Sequence, residues 1–149
     1  MINIERIKRE LSNNPYYGKK SQIMLQGVVG QTDPFYGTGK ISQLQHEEKE
    51  FIRPIFDSCP YLNGVIKELG MYRTRILTLG PKSCYSYHSD PTKRIHIPIE
   101  THLIACFMVI GEEVIRMPAD GNYYVIDTTK HHTAVNADIN PRVHIVGII

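Results

Sequence analysis

Two periodicities divide the chain. Ile4, Ile7 and Leu11 recur at helical spacing between charged residues, which predicts a short amphipathic helix over 3–11 ending at Ser12-Asn13-Asn14-Pro15. Residues 13–41 are rich in Gly, Pro, Asn, Thr and Tyr and read as loop, with one strand over 22–29. Leu44, Phe51, Ile52, Ile55, Phe56, Leu62, Val65, Ile66 and Leu69 carry a helical pattern through 42–70. Cys59-Pro60 splits this stretch into two helices, because proline lacks an N–H and restricts the residue before it. Gly70 is placed to cap the second. From Tyr72 the period shortens. Strands are expected over 72–79, 84–88, 94–100, 103–109, 112–116, 122–126, 131–136 and 142–148, with breaks at Gly80-Pro81, Asp90-Pro91, Gly111, Ala119-Asp120-Gly121 and Asn140-Pro141. Helices followed by short, evenly spaced strands predict a mainly β protein with helices on one side (α+β), its strands forming a jelly-roll, cupin-like sandwich or barrel. The expected organisation is one domain over 1–149, with a helical and loop part over 1–71 and a β core over 72–149.

Composition narrows the function classes. A chain of 149 residues hides roughly 70% of its unfolded surface, enough for a real core. With 42% hydrophobic and 21% charged residues it is neither disordered nor fibrous. The 17 basic against 15 acidic residues leave +2, which gives no electrostatic case for a nucleic-acid partner. No apolar run approaches the roughly 18 residues of a membrane span. The first ten residues are charged and amphipathic, unlike a signal peptide. Cys59, Cys84 and Cys106 are too few and too dispersed for a disulfide framework or a zinc site, so a cytoplasmic location is expected. Cys84 and Cys106 read as small buried hydrophobes on strands.

The chemistry concentrates late in the chain, where six of the seven histidines lie between positions 88 and 144. If His88 ends a strand, His88 and Asp90 share a face and can reach one ion. His131-His132 follows some 40 residues on. Two histidines and one carboxylate on one face of an octahedral ion form the facial triad of non-haem Fe(II) oxygenases, with vacancies for a bidentate co-substrate and O₂. Arg142 comes ten residues after His132, with His144 on the same strand face. An inward guanidinium in a β core calls for an anion, and the distal carboxylate of a dicarboxylic keto acid would serve. Arg94 and His96 alternate with Ile95, Ile97 and Ile99, which suits an inner wall facing an anionic ligand. Each element alone has a plainer reading as a turn or surface residue; their joint spacing favours a site. Neighbours on a strand face opposite ways, so one of His131 and His132 is a ligand, and alternation leaves the choice open.

These residues also carry a family resemblance. The stretch from Leu79 through His88-Ser89-Asp90 and Arg94-Ile95-His96 to Pro98, and the stretch from Tyr124 through Asp127, His132 and Asn136 to Arg142-Val143-His144-Ile145, resemble the aspartyl/asparaginyl β-hydroxylase family over residues 72–147. The shared pattern is a Pro-containing turn before the first metal His, Arg-x-His, Asp-x4-His-x3-Asn, and Arg ten residues past the second His. The resemblance implies a double-stranded β-helix, with Fe(II) as cofactor and 2-oxoglutarate and O₂ as co-substrates. It implies His88 and His132 as iron ligands with Asp90 as the carboxylate, and Arg142 as the 2-oxoglutarate anchor. It places Arg94 and His96 near the other end of that co-substrate. Its spacing selects His132 over His131. Some peptide-acting members have Gly where this chain has Asp90, whereas free-proline hydroxylases keep the carboxylate. The implied substrate is therefore a peptidyl Asp, Asn or Pro, or a free amino acid. A metal cupin of another class, such as an isomerase or a dioxygenase without co-substrate, is the alternative. A binding module that keeps the fold without turnover is a further one.

The remaining expectations concern surroundings. Asp127 and Asn136 are expected to fix loops by side-chain to backbone hydrogen bonds. His46 and His102 read as surface residues, and His144 as either core or site. Tyr16, Tyr17, Phe35 and Tyr36, set among glycines, are candidates for a substrate lid or for core packing.

Overall fold

The computed structural model describes all 149 residues. Helix α1 (Ile4–Ser12) starts where Asn3 Oδ1 accepts the backbone N–H of Arg6. Three short strands follow, β1 (Gln22–Met24), β2 (Gln26–Gly27) and β3 (Arg53–Pro54), with β2 paired to β3. Helix α2 (Pro60–Glu68) carries Pro60 in its first turn, and Glu10 of α1 accepts the N–H groups of Tyr61 and Leu62 at 2.8 and 3.0 Å. Gly70 follows at φ +66°, the left-handed conformation that suits glycine after a helix end.

Eight strands complete the chain: β4 (Tyr72–Leu79), β5 (Ser83–Cys84), β6 (Arg94–Glu100), β7 (Cys106–Ile110), β8 (Glu113–Ile115), β9 (Tyr124–Ile126), β10 (His132–Asn136) and β11 (Arg142–Ile148). They form two antiparallel sheets, ordered β1-β4-β11-β6-β9 and β5-β10-β7-β8. The chain winds from one sheet to the other and back, which is the jelly roll, or double-stranded β-helix. The outer face of the larger sheet is apolar. Ile76, Ile95, Ile97, Ile99, Val143 and Ile145 pack there against Ile7 and Leu11 of α1 and Leu62, Val65 and Ile66 of α2. A smaller core of Leu79, Met108, Ile110, Met117, Ile126 and Ala134 lies between the sheets. Because β-strand side chains alternate, the residues between the outward isoleucines face inward: Arg75, Arg94, His96, Arg142 and His144. All five are buried. The helix-covered face is thus the driest, and the barrel interior holds the polar groups.

Several expectations need correction. Residues 42–58 are not a helix. Ile41–Gln43 and Glu48–Glu50 are single 3-10 turns and Arg53–Pro54 is a strand. Pro54 lies inside the apparent helical pattern and removes a donor there, and Phe51 is buried against Met24 and Val28 instead of on a helix face. The strand expected over 22–29 is split at Leu25, whose N–H bonds Thr74 of β4. The strand expected over 84–88 is regular only at Ser83–Cys84, and Cys84 is exposed. His46 is half-buried, its Nδ1 within 2.6 Å of the Tyr36 hydroxyl. Tyr16 packs edge-on against Phe35, and Tyr36 stacks near Phe51. His102 is exposed as expected, and Asn136 is fully buried with its amide donating to Leu79, Gly80 and Asn140 carbonyls. Asp127 accepts from the Thr129 N–H.

Candidate active site

His88 lies outside any regular strand, yet its position is fixed. Its N–H donates to the His132 carbonyl at 3.0 Å, and the His132 N–H returns the bond at 2.7 Å. This two-bond bridge brings the imidazoles to a ring separation of 4.6 Å. Asp90 is tied by its own N–H to the Thr128 carbonyl at 2.8 Å. Its carboxylate stands 3.7 Å from His88 Nε2 and 3.5 Å from His132 Nε2. One nitrogen or oxygen from each of the three residues falls within 4.8 Å of the others. His131, one position away, turns outward and lies beside Tyr87.

Both imidazoles are oriented by backbone carbonyls. His88 Nδ1 is 2.6 Å from the Ser86 carbonyl and His132 Nδ1 is 2.9 Å from that of Lys130. A carbonyl only accepts, so each Nδ1 carries a proton, and in the neutral imidazole each Nε2 then keeps its lone pair toward the cluster. This is the arrangement that metal-binding histidines use, with the second ring nitrogen held by an acceptor. A divalent first-row cation fits the two neutral imidazoles and the carboxylate.

A second set of polar groups lies deeper in the barrel. Arg142 Nη2 is 3.1 Å from His144 Nδ1, and His144 Nδ1 is 3.2 Å from His96 Nδ1. Guanidinium nitrogens only donate, so His144 Nδ1 accepts and the His96 Nδ1–H donates to it. This leaves an Nε2–H on His144 and a bare Nε2 on His96, and both atoms are buried without a partner. Burial holds both histidines well below their ordinary pKa, with Arg142 adding to the effect in each, so both are neutral. Arg142 is buried, and every ion pair made by the buried carboxylate Glu48 and the half-buried Asp90 goes elsewhere. The space beside Arg142 and His144 is lined by Thr101, Cys106, Phe107, Ile115 and Met117.

Over this scaffold, the sequence model of the aspartyl/asparaginyl beta-hydroxylase family matches residues 3–147. The chain belongs to that family. Solved structures similar to this hydroxylase-family chain include a cupin domain from Bordetella pertussis Tohama I, at 14% identity over 52% of this chain and 79% of that one, TM-score 0.44. Another is a predicted oxalate decarboxylase from Thermotoga maritima, at 14% identity over 56% and 72%, TM-score 0.43. A third, from Photorhabdus luminescens, is 15% identical over 50% of this chain, TM-score 0.42, and this chain spans 58% of its length. No curated protein sequence matches. No helix of this family member is long and apolar enough to cross a membrane.

The candidates read from the sequence omit two buried charged residues of this interior, Glu48 and Arg75. Glu48 is buried, accepting from Arg73 Nη1 at 2.9 Å and from the Thr92 hydroxyl at 2.8 Å, and lying 3.0 Å from Arg94 Nη1. Burial pushes its carboxyl up, but Arg94, Arg73 and Thr92 outweigh this and hold it below the usual range. Arg94 is therefore engaged by Glu48, and its Nε stands 3.7 Å from Asp90. Glu48 comes from a 3-10 turn remote in sequence, and nothing local marked it. Arg75 is the other. It alternates with Ile76 as Arg94 and His96 alternate with their isoleucines, and the same pattern would have found it.

Proposed function

We propose that this chain is an Fe(II)- and 2-oxoglutarate-dependent dioxygenase that hydroxylates an unactivated C–H bond of an amino-acid-type substrate, with succinate and CO₂ as co-products. The substrate is a peptidyl Asp, Asn or Pro residue, or a free amino acid. The observation that carries this reading is the convergence of His88, Asp90 and His132, with both Nε2 lone pairs directed at the cluster. Family membership supports the reaction class.

His88, Asp90 and His132 would hold the iron. Bound there, iron supplies the activation of O₂, coupled to oxidative decarboxylation of the keto acid. The chain's own contribution is orientation, charge and dryness. The Ser86 and Lys130 carbonyls fix the two imidazoles, and Thr128 fixes the backbone of Asp90. Arg142 offers a planar fork to the distal carboxylate of 2-oxoglutarate, and the His144 Nε2–H is a further buried donor. His96 keeps its bare Nε2 as an acceptor in the same interior. Met108, Ile110, Met117 and Ile126 close the space between the sheets against water. No side chain is required as a general base.

The test is an anaerobic titration of Fe(II)-loaded protein with 2-oxoglutarate, followed by visible absorption. A charge-transfer band in the native protein, absent in His132→Ala, is the expected result. Bound iron without a band would favour a cupin of another class, and failure to bind iron would favour a binding module.

A further inference from the structure

Charge in the barrel interior does not balance. Four guanidiniums are buried, those of Arg73, Arg75, Arg94 and Arg142. Glu48 serves Arg73 and Arg94, and Asp90 stands near Arg94. Arg75 and Arg142 take part in no ion pair. Arg75 is the less satisfied of the two. Its Nε is buried without a partner, and its Nη1 reaches no closer than 3.5 Å to the Gln22 side-chain oxygen. Burial, with Arg73 and Arg94 nearby, pulls it down to about 9, so it is still charged at neutral pH. An uncompensated buried charge is among the costliest features a fold can carry, and an anionic ligand is the usual justification.

Register separates the two unpaired cations. Arg142 faces Leu79 across β4 and β11, while Arg75 faces Val146, which in turn faces His96. Arg75 thus stands four residues from the Arg142 level, roughly 13 Å along the strand. It lies toward the end where Arg94 and Asp90 meet. 2-Oxoglutarate has two carboxylates. On the dioxygenase reading one would be taken up at the His88–Asp90–His132 cluster and the other by Arg142, so neither would be left for Arg75.

We propose that Arg75 anchors a carboxylate of the prime substrate, and that the enzyme selects an amino-acid-type substrate bearing that carboxylate close to the bond it hydroxylates. The carboxylate is the side chain of a peptidyl Asp or the α-carboxylate of a free amino acid. A neutral amide in its place leaves the guanidinium unpaired and is rejected for that reason. The proposal rests on the dioxygenase reading above.

Calorimetric titration of anaerobic Fe(II)-loaded protein, saturated with 2-oxoglutarate, tests it with four probes. N-acetyl-L-aspartic α-amide carries only the side-chain carboxylate and L-proline only the α-carboxylate; N-acetyl-L-asparaginamide and L-prolinamide carry a neutral amide in place of that carboxylate. One of the first two should bind, and its amide should bind at least about tenfold more weakly, the loss of one charged hydrogen bond. Whichever acid binds identifies the source of the carboxylate. Arg75→Gln should lose that binding while 2-oxoglutarate affinity stays within about twofold, and Arg75→Lys should keep part of it. The ligand-free Arg75→Gln protein should melt no lower than wild type, which separates loss of the anchor from misfolding. Equal binding of acid and amide, binding of neither acid, or a loss in Arg75→Gln that falls on 2-oxoglutarate instead, overturns the proposal alone. If wild-type protein does not bind 2-oxoglutarate, the dioxygenase reading fails and takes the proposal with it.

Discussion

Arg142 donates to Nδ1 of His144 across 3.1 Å and, though buried, takes part in no ion pair. His144 Nδ1 has one lone pair and also receives His96, so the guanidinium is left largely unsatisfied. Adding Fe(II) and 2-oxoglutarate should therefore raise the melting temperature, because a ligand that binds only the native state stabilises it by about 2.7 kcal/mol at a hundredfold excess over Kd. Arg142→Met should abolish the 2-oxoglutarate part of that rise. The same variant should melt at or above wild type without ligand, since it removes an uncompensated charge. A ligand-free Arg142→Met protein that melts well below wild type would show that the guanidinium is structural.

Glu48 presents the opposite case, a single buried carboxylate shared by two buried guanidiniums. Glu48→Gln keeps the shape and removes the charge. Breaking a buried pair on one side costs about 3–5 kcal/mol, so urea denaturation should show a loss of that order. Arg73 also donates to the carbonyls of Gly37 and Gly39, which ties the 35–39 loop to β4. Protease nicking of that loop should accelerate in the variant. Unchanged stability would mean that Glu48 is spectator to the Arg73–Arg94 arrangement.

How far the sequence is legible depends on which forces act locally. Strands β6 and β11 match their expected bounds of 94–100 and 142–148, because alternation and turn residues are both local signals. The joint spacing of His88, Asp90 and His132 is legible for the same reason, and the three do converge. Residues 42–58 are not legible as what they are. Their apolar spacing mimics a helix, while Pro54 within the segment and the pairing of Arg53–Pro54 with Gln26–Gly27 outside it decide otherwise. The role of Glu48 is tertiary, set by guanidiniums 25 and 46 residues away in sequence. His88 is held by a bridge to His132 that no local pattern announces.

Gly147 marks a place where β11 has no room for a side chain. It lies beside a register shift between β11 and β4. An added Cβ would come within 2.8 Å of the Thr74 hydroxyl, 2.9 Å of the Met71 methyl and 3.0 Å of the Tyr72 carbonyl. The carbonyl is backbone and cannot turn aside. Gly147→Ala should therefore cost about 1–3 kcal/mol by denaturant melt, as overpacking does. Gly64→Ala is the control, because nothing lies within 4 Å of its would-be Cβ, and alanine favours its helix by about 1 kcal/mol.

The two buried histidines make stability depend on pH in a stated direction. In the unfolded chain His96 and His144 titrate near the ordinary value of about 6.5. In the folded chain burial, reinforced by Arg142, holds both well below it. As pH falls through about 6.5 the unfolded state takes up protons that the native state refuses. Stability is then full above that pH and is lost below it, by up to about 1.4 kcal/mol per pH unit for each histidine. Glu48 does not oppose this, since its carboxyl is held below the usual range and stays ionised there. Urea melts of metal-free protein between pH 7.5 and 5.5 should therefore lose about 3 kcal/mol in total. His144→Gln removes one titrating group and leaves His96, so its slope in the same window should be about half. A native slope near zero, or a variant slope equal to the native one, would show that these two histidines charge freely inside the barrel, and the neutral tautomers assigned to them would be wrong.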